Sequence, residues 1–150
     1  ETNRAIQSEG WHFNTEHNYV LTPDAGTSKI NLPSNTLRVD LDPQIYTDSD
    51  PVQRGLTLYD RKKHTDVWSK EVKASITFEL VFTDMPEQFR HYITVKAARI
   101  FANRFLGSRE IEGFALRDEI EAKARAIDSD SENADRTIFD DYSVLRVLDR

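Results

Sequence analysis

A chain of 150 residues is long enough to bury one hydrophobic core, and with 31% charged and 38% apolar residues its mean hydropathy of −0.63 is that of a polar globular protein. No apolar run within these residues exceeds three positions, so none of them forms a membrane span or the core of a signal peptide. The absence of cysteine excludes disulfides and thiolate metal ligands, and a net charge of −6 sets the surface as a whole against tight, non-specific nucleic-acid binding.

Residues Glu1 to Glu9 read as the last turns of a helix, with Ala5 and Ile6 as its apolar side chains and Gly10 as its stop. No Met opens the chain, so the sequence is expected to begin inside something longer. From Trp11 to Leu21, WHFNTEHNYVL predicts a strand, a polar turn over Asn14–Asn18 and a second strand. Pro23 to Gly26 is a turn. Short strands are expected at Lys29–Leu32 and at Thr36–Leu41, where Leu37, Val39 and Leu41 share a face. Gln44 to Gly55 is acidic and turn-rich, with a loop at Asp48-Ser49-Asp50-Pro51. Leu56–Asp60 and Asp66–Trp68 flank Arg61-Lys62-Lys63-His64, which reads as a hairpin tip. Ser75 to Phe82 alternates most cleanly, with Ile76, Phe78, Leu80 and Phe82 on one side. Closely spaced short strands suggest an antiparallel meander.

The longest periodic stretch runs from Asp84 to Gly107, about 22 residues or roughly 33 Å of helix. Asp84 and Glu87 have the spacing of a capping box, Pro86 is tolerated in a first turn, and Gly107 can end the helix. Its apolar residues spread over most of the cylinder, which predicts cover on most faces. Ser108 can cap a second helix, with Glu110 and Glu112 favoured by its N-terminal dipole. There Leu116, Ile120, Ala124 and Ile127 form one narrow stripe expected to pack inward. Asp128 to Thr137 reads as a polar linker. Ile138 to Arg150 carries Ile138, Phe139, Tyr142, Leu145 and Leu148, enough apolar surface to require docking on something. The fold class is therefore α+β: two or three helices packed with a short-stranded antiparallel β-rich portion. One domain is expected over 1–150, helical at about 1–9 and 84–127, β-rich at about 11–82, with the apolar tail at 138–150.

No catalytic constellation stands out. His12, His17, His64 and His91 lack the spacing of a zinc helix, and no cofactor or metal is expected. Asp128-Ser-Asp130-Ser-Glu132 opens like a calcium loop, but Asn133 and Phe139 occupy the glycine and bidentate-glutamate positions, so a solvated acidic linker is the better reading. There is no nucleophile elbow, phosphate loop or dinucleotide fingerprint. A glycosidase needs only two suitably separated carboxylates, so a carbohydrate hydrolase is the enzymatic alternative. The basic cluster Arg61, Lys62, Lys63, His64 is either solvated charge or a contact to an acidic partner or to phosphates.

Three stretches together carry a resemblance. RAIQSEGWHFNTEHNYVLTPDA at Arg4–Ala25, LYDRKKHTDVW at Leu58–Trp68 and MPEQFRHYITVKAARIFANRFLGSREIEGF at Met85–Phe114 cover close to half the chain, and in order and spacing they resemble tail tubular protein A of T7-like podoviruses. The resemblance implies a structural component of the virion tail, assembled in the host cytoplasm. It further implies a ring, generally dodecameric, joining the portal at the capsid vertex to the nozzle (tail tubular protein B), with DNA passing through without sequence-specific binding. It also implies a helical segment ahead of Arg4 that this sequence lacks, so ring formation is expected to depend on it. On this reading Arg99, Arg104, Arg117, Glu119 and Glu121 are candidates for the subunit interface. Arg61, Lys62, Lys63 and His64, with the loop at Asp48–Gln53, are candidates for meeting the nozzle. Ile138, Phe139, Tyr142, Leu145 and Leu148 are candidates for docking on the portal or on the next subunit.

Overall fold

The computed structural model describes residues 1–105 and 109–134, and for residues 109–112 and 114 the backbone alone. The chain divides into two compact units, one covering Asn3–Val81 and one that begins at Phe82. The class is α+β, as the sequence predicts.

In the first unit, helix α1 (Thr2–Gln7) ends ahead of Gly10, whose φ of +81° is the left-handed stop expected there. A Cβ at Gly10 would lie 3.1 Å from the Arg38 guanidinium, the movable end of a flexible side chain, so it is the backbone angle that favours glycine there. A single 3₁₀ turn, His12–Asn14, leads into strand β1 (Thr15–Leu21). This corrects the expected pair of strands around an Asn14–Asn18 turn. The polar residues instead sit in a bulge between Glu16 and Tyr19, with Asn18 at φ +57°, and the strand continues through it.

Strand β2 spans Thr36–Leu41, the residues expected. Strand β3 (Pro51–Arg54) pairs with β4 (Thr57–Asp60) as a tight antiparallel hairpin about Gly55 at φ +61°. Here β3 replaces part of the expected acidic loop. The expected strand at Lys29–Leu32 is reduced to single bridges, Lys29 to Val67 and Asn31 to Thr57. Strand β5 (Val72–Phe78) ends four residues before the predicted limit at Phe82, and Phe82–Asp84 forms a 3₁₀ turn instead.

The larger sheet has the order β1–β5–β2, all antiparallel. It is not a meander. The last strand lies in the centre and pairs with segments 33 to 62 residues away, for example Leu41 with Ala74 and Thr15 with Thr77. Val72, Ala74, Ile76 and Phe78 alternate on the buried face of β5, and with Val39, Leu41, Leu21, Ile30, Leu32, Leu58 and Trp68 they form the core of this unit. Trp68 keeps its indole N–H satisfied there by donating to the Leu58 carbonyl at 2.9 Å.

Polar side chains join α1 to the end of β5. Gln7 donates to the Leu80 carbonyl at 2.9 Å and accepts from the Leu80 N–H at 2.8 Å, a reciprocal pair like one rung of a β-ladder. The Asn14 amide, itself buried, donates to the Gln7 and Phe78 carbonyls, both at 2.9 Å, and accepts from the Trp11 N–H at 2.9 Å.

The second unit contains helices α2 (Glu87–Phe105) and α3 (Arg109–Asn133), packed against each other. Helix α2 starts later than its predicted capping box. Asp84 belongs to the preceding 3₁₀ turn, and the Pro86 carbonyl takes the first N–H groups, those of Phe89 and Arg90, at 3.1 Å. Glu87 pairs with Arg90 along the helix instead. The caps assigned to Gly107 and Ser108 lie outside the described residues. The expected linker from Asp128 is also corrected, since α3 runs on to Asn133 and Asp130 is buried.

Because Asn14 satisfies three backbone groups away from water, Asn14→Ala is expected to cost about 2–3 kcal/mol, read as a lower denaturant midpoint at unchanged slope.

Candidate interaction surfaces

The basic tip is tied down by one carboxylate. Asp60, the last residue of β4, is 1% exposed, and its Oδ1 accepts the N–H groups of Lys62 at 2.9 Å, Asp50 at 3.1 Å and Lys63 at 3.3 Å. Backbone bonding between Asp60 and Thr65 closes the loop, and His64 takes the left-handed conformation at φ +52°. Burial pushes the Asp60 carboxyl up, but the converging backbone N–H groups of Asp50, Lys63 and Lys62 outweigh it and hold it below the usual carboxylate range.

The cations then reach across to the neighbouring loop. Lys62 Nζ donates to the Thr47 carbonyl at 2.6 Å, Lys63 Nζ to the Ser49 hydroxyl at 3.3 Å, and Arg61 lies 3.6 Å from the Asp50 carboxylate. All four tip residues are exposed, so the cluster is at once a surface and a clasp around the 46–50 loop. The sequence pattern revealed the charge but not the buried acid beneath it, because Asp60 in isolation reads as an ordinary strand-end residue.

The five residues proposed for a subunit interface fall into three settings. Arg99 on α2 and Glu119 on α3 are paired with each other, only 22% and 12% exposed, so they join the helices of one chain. Glu121 accepts from Arg125 one turn on at 2.6 Å, both side chains being about two-thirds exposed. Arg104 and Arg117 are exposed. The apolar tail 138–150 lies outside the described residues.

The packing of α3 reverses what its periodicity predicts. Its buried side chains are Ala122 and Ala126, with Asp130, whereas Leu116, Ile120 and Ile127 are 44%, 61% and 42% exposed and Ala124 is exposed too. The predicted inward stripe faces water. Small alanines and one ion pair across the helix junction leave the large aliphatic side chains on a neighbouring face. Helix α2 shows the same division along its length. Phe89, Tyr92 and Ile93 are buried, while Phe101 and Phe105, stacked on each other with centroids 4.4 Å apart, are 62% and 71% exposed.

Between the two helices, His91, Val95, Asp118, Glu121, Ala122 and Arg125 line a cleft of about 240 Å³. Sequence reasoning missed it, since no spacing within either helix brings His91 to Arg125. Its two carboxylates, Asp118 and Glu121, are both exposed and Glu121 is already paired, the reverse of the apolar enclosure that makes a carboxyl a general acid. Among the described residues no group of three or more His, Asp or Glu side chains could hold a metal ion, and no helix is long and apolar enough to cross a membrane.

The family pattern described as tail tubular protein matches residues 1–136. The chain belongs to the tail tubular protein family. No curated protein matches it. Membership makes this tail tubular protein a structural component of a phage tail within the virion, a part that assembles with other tail proteins. For such a part, exposed apolar and charged surfaces are the functional features to weigh, and the matched region contains both the basic tip and the paired helices.

The depressed carboxyl of Asp60 stabilises the fold above the unfolded-state value of about 4, and that contribution is lost as pH falls through the lower folded value. Asp60→Asn is therefore expected to lower stability by about 1–2 kcal/mol at pH 7, with the gap to the unaltered protein closing below about pH 4 in denaturant titrations.

Proposed function

We propose that this tail tubular protein is a ring-forming adaptor that joins the portal at the capsid vertex to the tail nozzle and surrounds the channel through which DNA is ejected. The observation that carries the reading is the unshared apolar surface of α2. Phe101 and Phe105 stand out from a helix whose earlier apolar residues Phe89, Tyr92 and Ile93 are buried, beside the exposed Arg104. An aromatic pair rimmed by charge is the composition of an interface centre rather than of free surface. Each subunit of a ring presents two different faces to its neighbours, and the circle closes by rotation.

On this reading Arg104 and Arg117 contact the adjacent subunit directly, while the Arg99–Glu119 pair sets how α2 and α3 are disposed to do so. The tip Arg61–His64 and the loop it clasps face the nozzle, where exposed cations suit an acidic partner surface. The net charge of −6 suits a conduit that duplex DNA passes without being held.

Light scattering on the purified protein tests the ring. Arg104→Glu with Arg117→Glu is expected to abolish or weaken assembly at least tenfold, the effect of removing contacts worth roughly 1.4 kcal/mol per interface. Arg99→Glu is expected to do the same and to be rescued by Glu119→Arg, which restores the pair with its signs exchanged. Rings that form unchanged with Glu at 99, 104 and 117 would remove these helices from the interface.

A further inference from the structure

Each helix of the second unit carries an exposed seam of its own. On α2, Thr94, Ala98, Phe101 and Phe105 are all exposed and follow one another at intervals of four, three and four residues. On α3, Leu116, Ile120, Lys123 and Ile127 are all exposed and repeat the same intervals. Such spacing sets four side chains along one line of a helix, the pattern of a coiled-coil contact. Each line rises about 16 Å from its first residue to its last.

The two seams point away from each other. Arg99 pairs with Glu119, and further back along α2 His91 and Val95 line a cleft with Ala122 and Arg125, so the helices run antiparallel. At about 100° per residue, the α2 seam lies about 110° round from the side carrying Val95 and Arg99. The α3 seam lies about 110° round from the side carrying Ala122 and Ala126. One rotation runs against the winding of its helix and the other with it, which in an antiparallel pair brings the seams out on opposite flanks. A single chain therefore cannot close one seam on the other.

We propose that the α3 seam of one subunit packs against the α2 seam of a second copy of the chain, so that the helix pairs form a continuous head-to-tail belt. The inference rests on the ring reading above and names the surface by which the ring closes. Direction, register and composition select a second copy as the occupant. Two different faces on opposite flanks are what a heterologous contact requires, and such a contact repeats round a circle instead of stopping at two subunits. Neighbours in a ring of many subunits differ by a small rotation, so α2 of the next copy runs antiparallel to α3.

In that arrangement the matched intervals align along their whole length. Phe105 of the next copy meets Leu116, its Phe101 meets Ile120, its Ala98 meets Lys123 and its Thr94 meets Ile127. Aromatic rings then cover branched aliphatic chains at one end, and the small Ala98 leaves room for the aliphatic stem of Lys123. The Thr94 hydroxyl already donates to the Arg90 carbonyl at 2.8 Å, so covering it strands no polar group.

The chain has no cysteine, so introduced thiols report proximity without competitors. With Phe101→Cys and Ile120→Cys in the same chain, mild oxidation is expected to link subunits into a ladder of dimers, trimers and larger species on a non-reducing gel. Each single variant is expected to stay unlinked, because like seams never meet. Phe101→Cys with Arg125→Cys, whose second thiol lies on another exposed face of α3, is expected to stay unlinked too. Linking that stops at dimers, that occurs in a single variant, or that is equal in the two double variants overturns the proposal. So does an absence of linking in rings that light scattering shows intact, which leaves the ring reading standing with a different contact. Protein that stays monomeric throughout overturns both.

Charged substitutions give an independent reading. Phe101→Asp and Ile120→Asp alter exposed positions, and each alone is expected to weaken assembly roughly tenfold or more. Each variant keeps the seam that the other has lost, so an equimolar mixture is expected to give two-chain particles that grow no further. Rings formed at full strength by either variant, or a mixture that stays monomeric, overturn the proposal.

Discussion

Everything in the β-rich unit depends on the central position of β5. A strand with neighbours on both sides must have its two partners in place before its own backbone groups are satisfied, and here those partners come from residues 15–21 and 36–41. The intervening chain must therefore leave the sheet and return, and it does so as the β3–β4 hairpin and the clasped loops around it. Leu58 and Trp68, on either side of the basic tip, are drawn into the same core as β5, which is why the excursion is compact rather than loose.

That topology explains why polar residues occupy so many buried positions. The chain ends of β1 and β5 meet near α1, and the free backbone groups there are taken up by Asn14 and Gln7 rather than by another strand. Asp60 performs the same service at the far end of the hairpin, collecting three N–H groups of a turn that no ladder could satisfy. In each case one side chain replaces a rung of secondary structure, so that irregular backbone can be buried without loss of hydrogen bonding.

The helical unit follows a different rule. Its two helices approach through Ala122 and Ala126 and the Arg99–Glu119 pair, which leaves the bulky side chains of α3 and the far half of α2 outside. A helix pair built this way is poorly served as a solitary object, since exposed Leu, Ile and Phe side chains contribute nothing until something covers them. It is well suited to a tail component, whose final burial is completed by assembly. The ion pair between the helices contributes direction more than stability, because two partly buried charges must offset their own desolvation.

The sequence by itself determined the class of fold, the position of β2 and β4, the stop after α1, the long helix after Pro86 and, through three spaced blocks, the family. These are local properties: alternation, helical period, a left-handed glycine and residue order survive without knowledge of what packs where. Only the tertiary structure decided that β5 is central, that β3 pairs with β4, that Asn18 makes a bulge rather than a turn, and that Asp60 lies beneath the basic tip. It also decided which way α3 faces. Periodicity shows that Leu116, Ile120 and Ile127 share a side, but a neighbouring side carrying Ala122 and Ala126 is the one that is buried. A stripe has a direction only relative to a partner, and no residue spacing within one helix can supply the other.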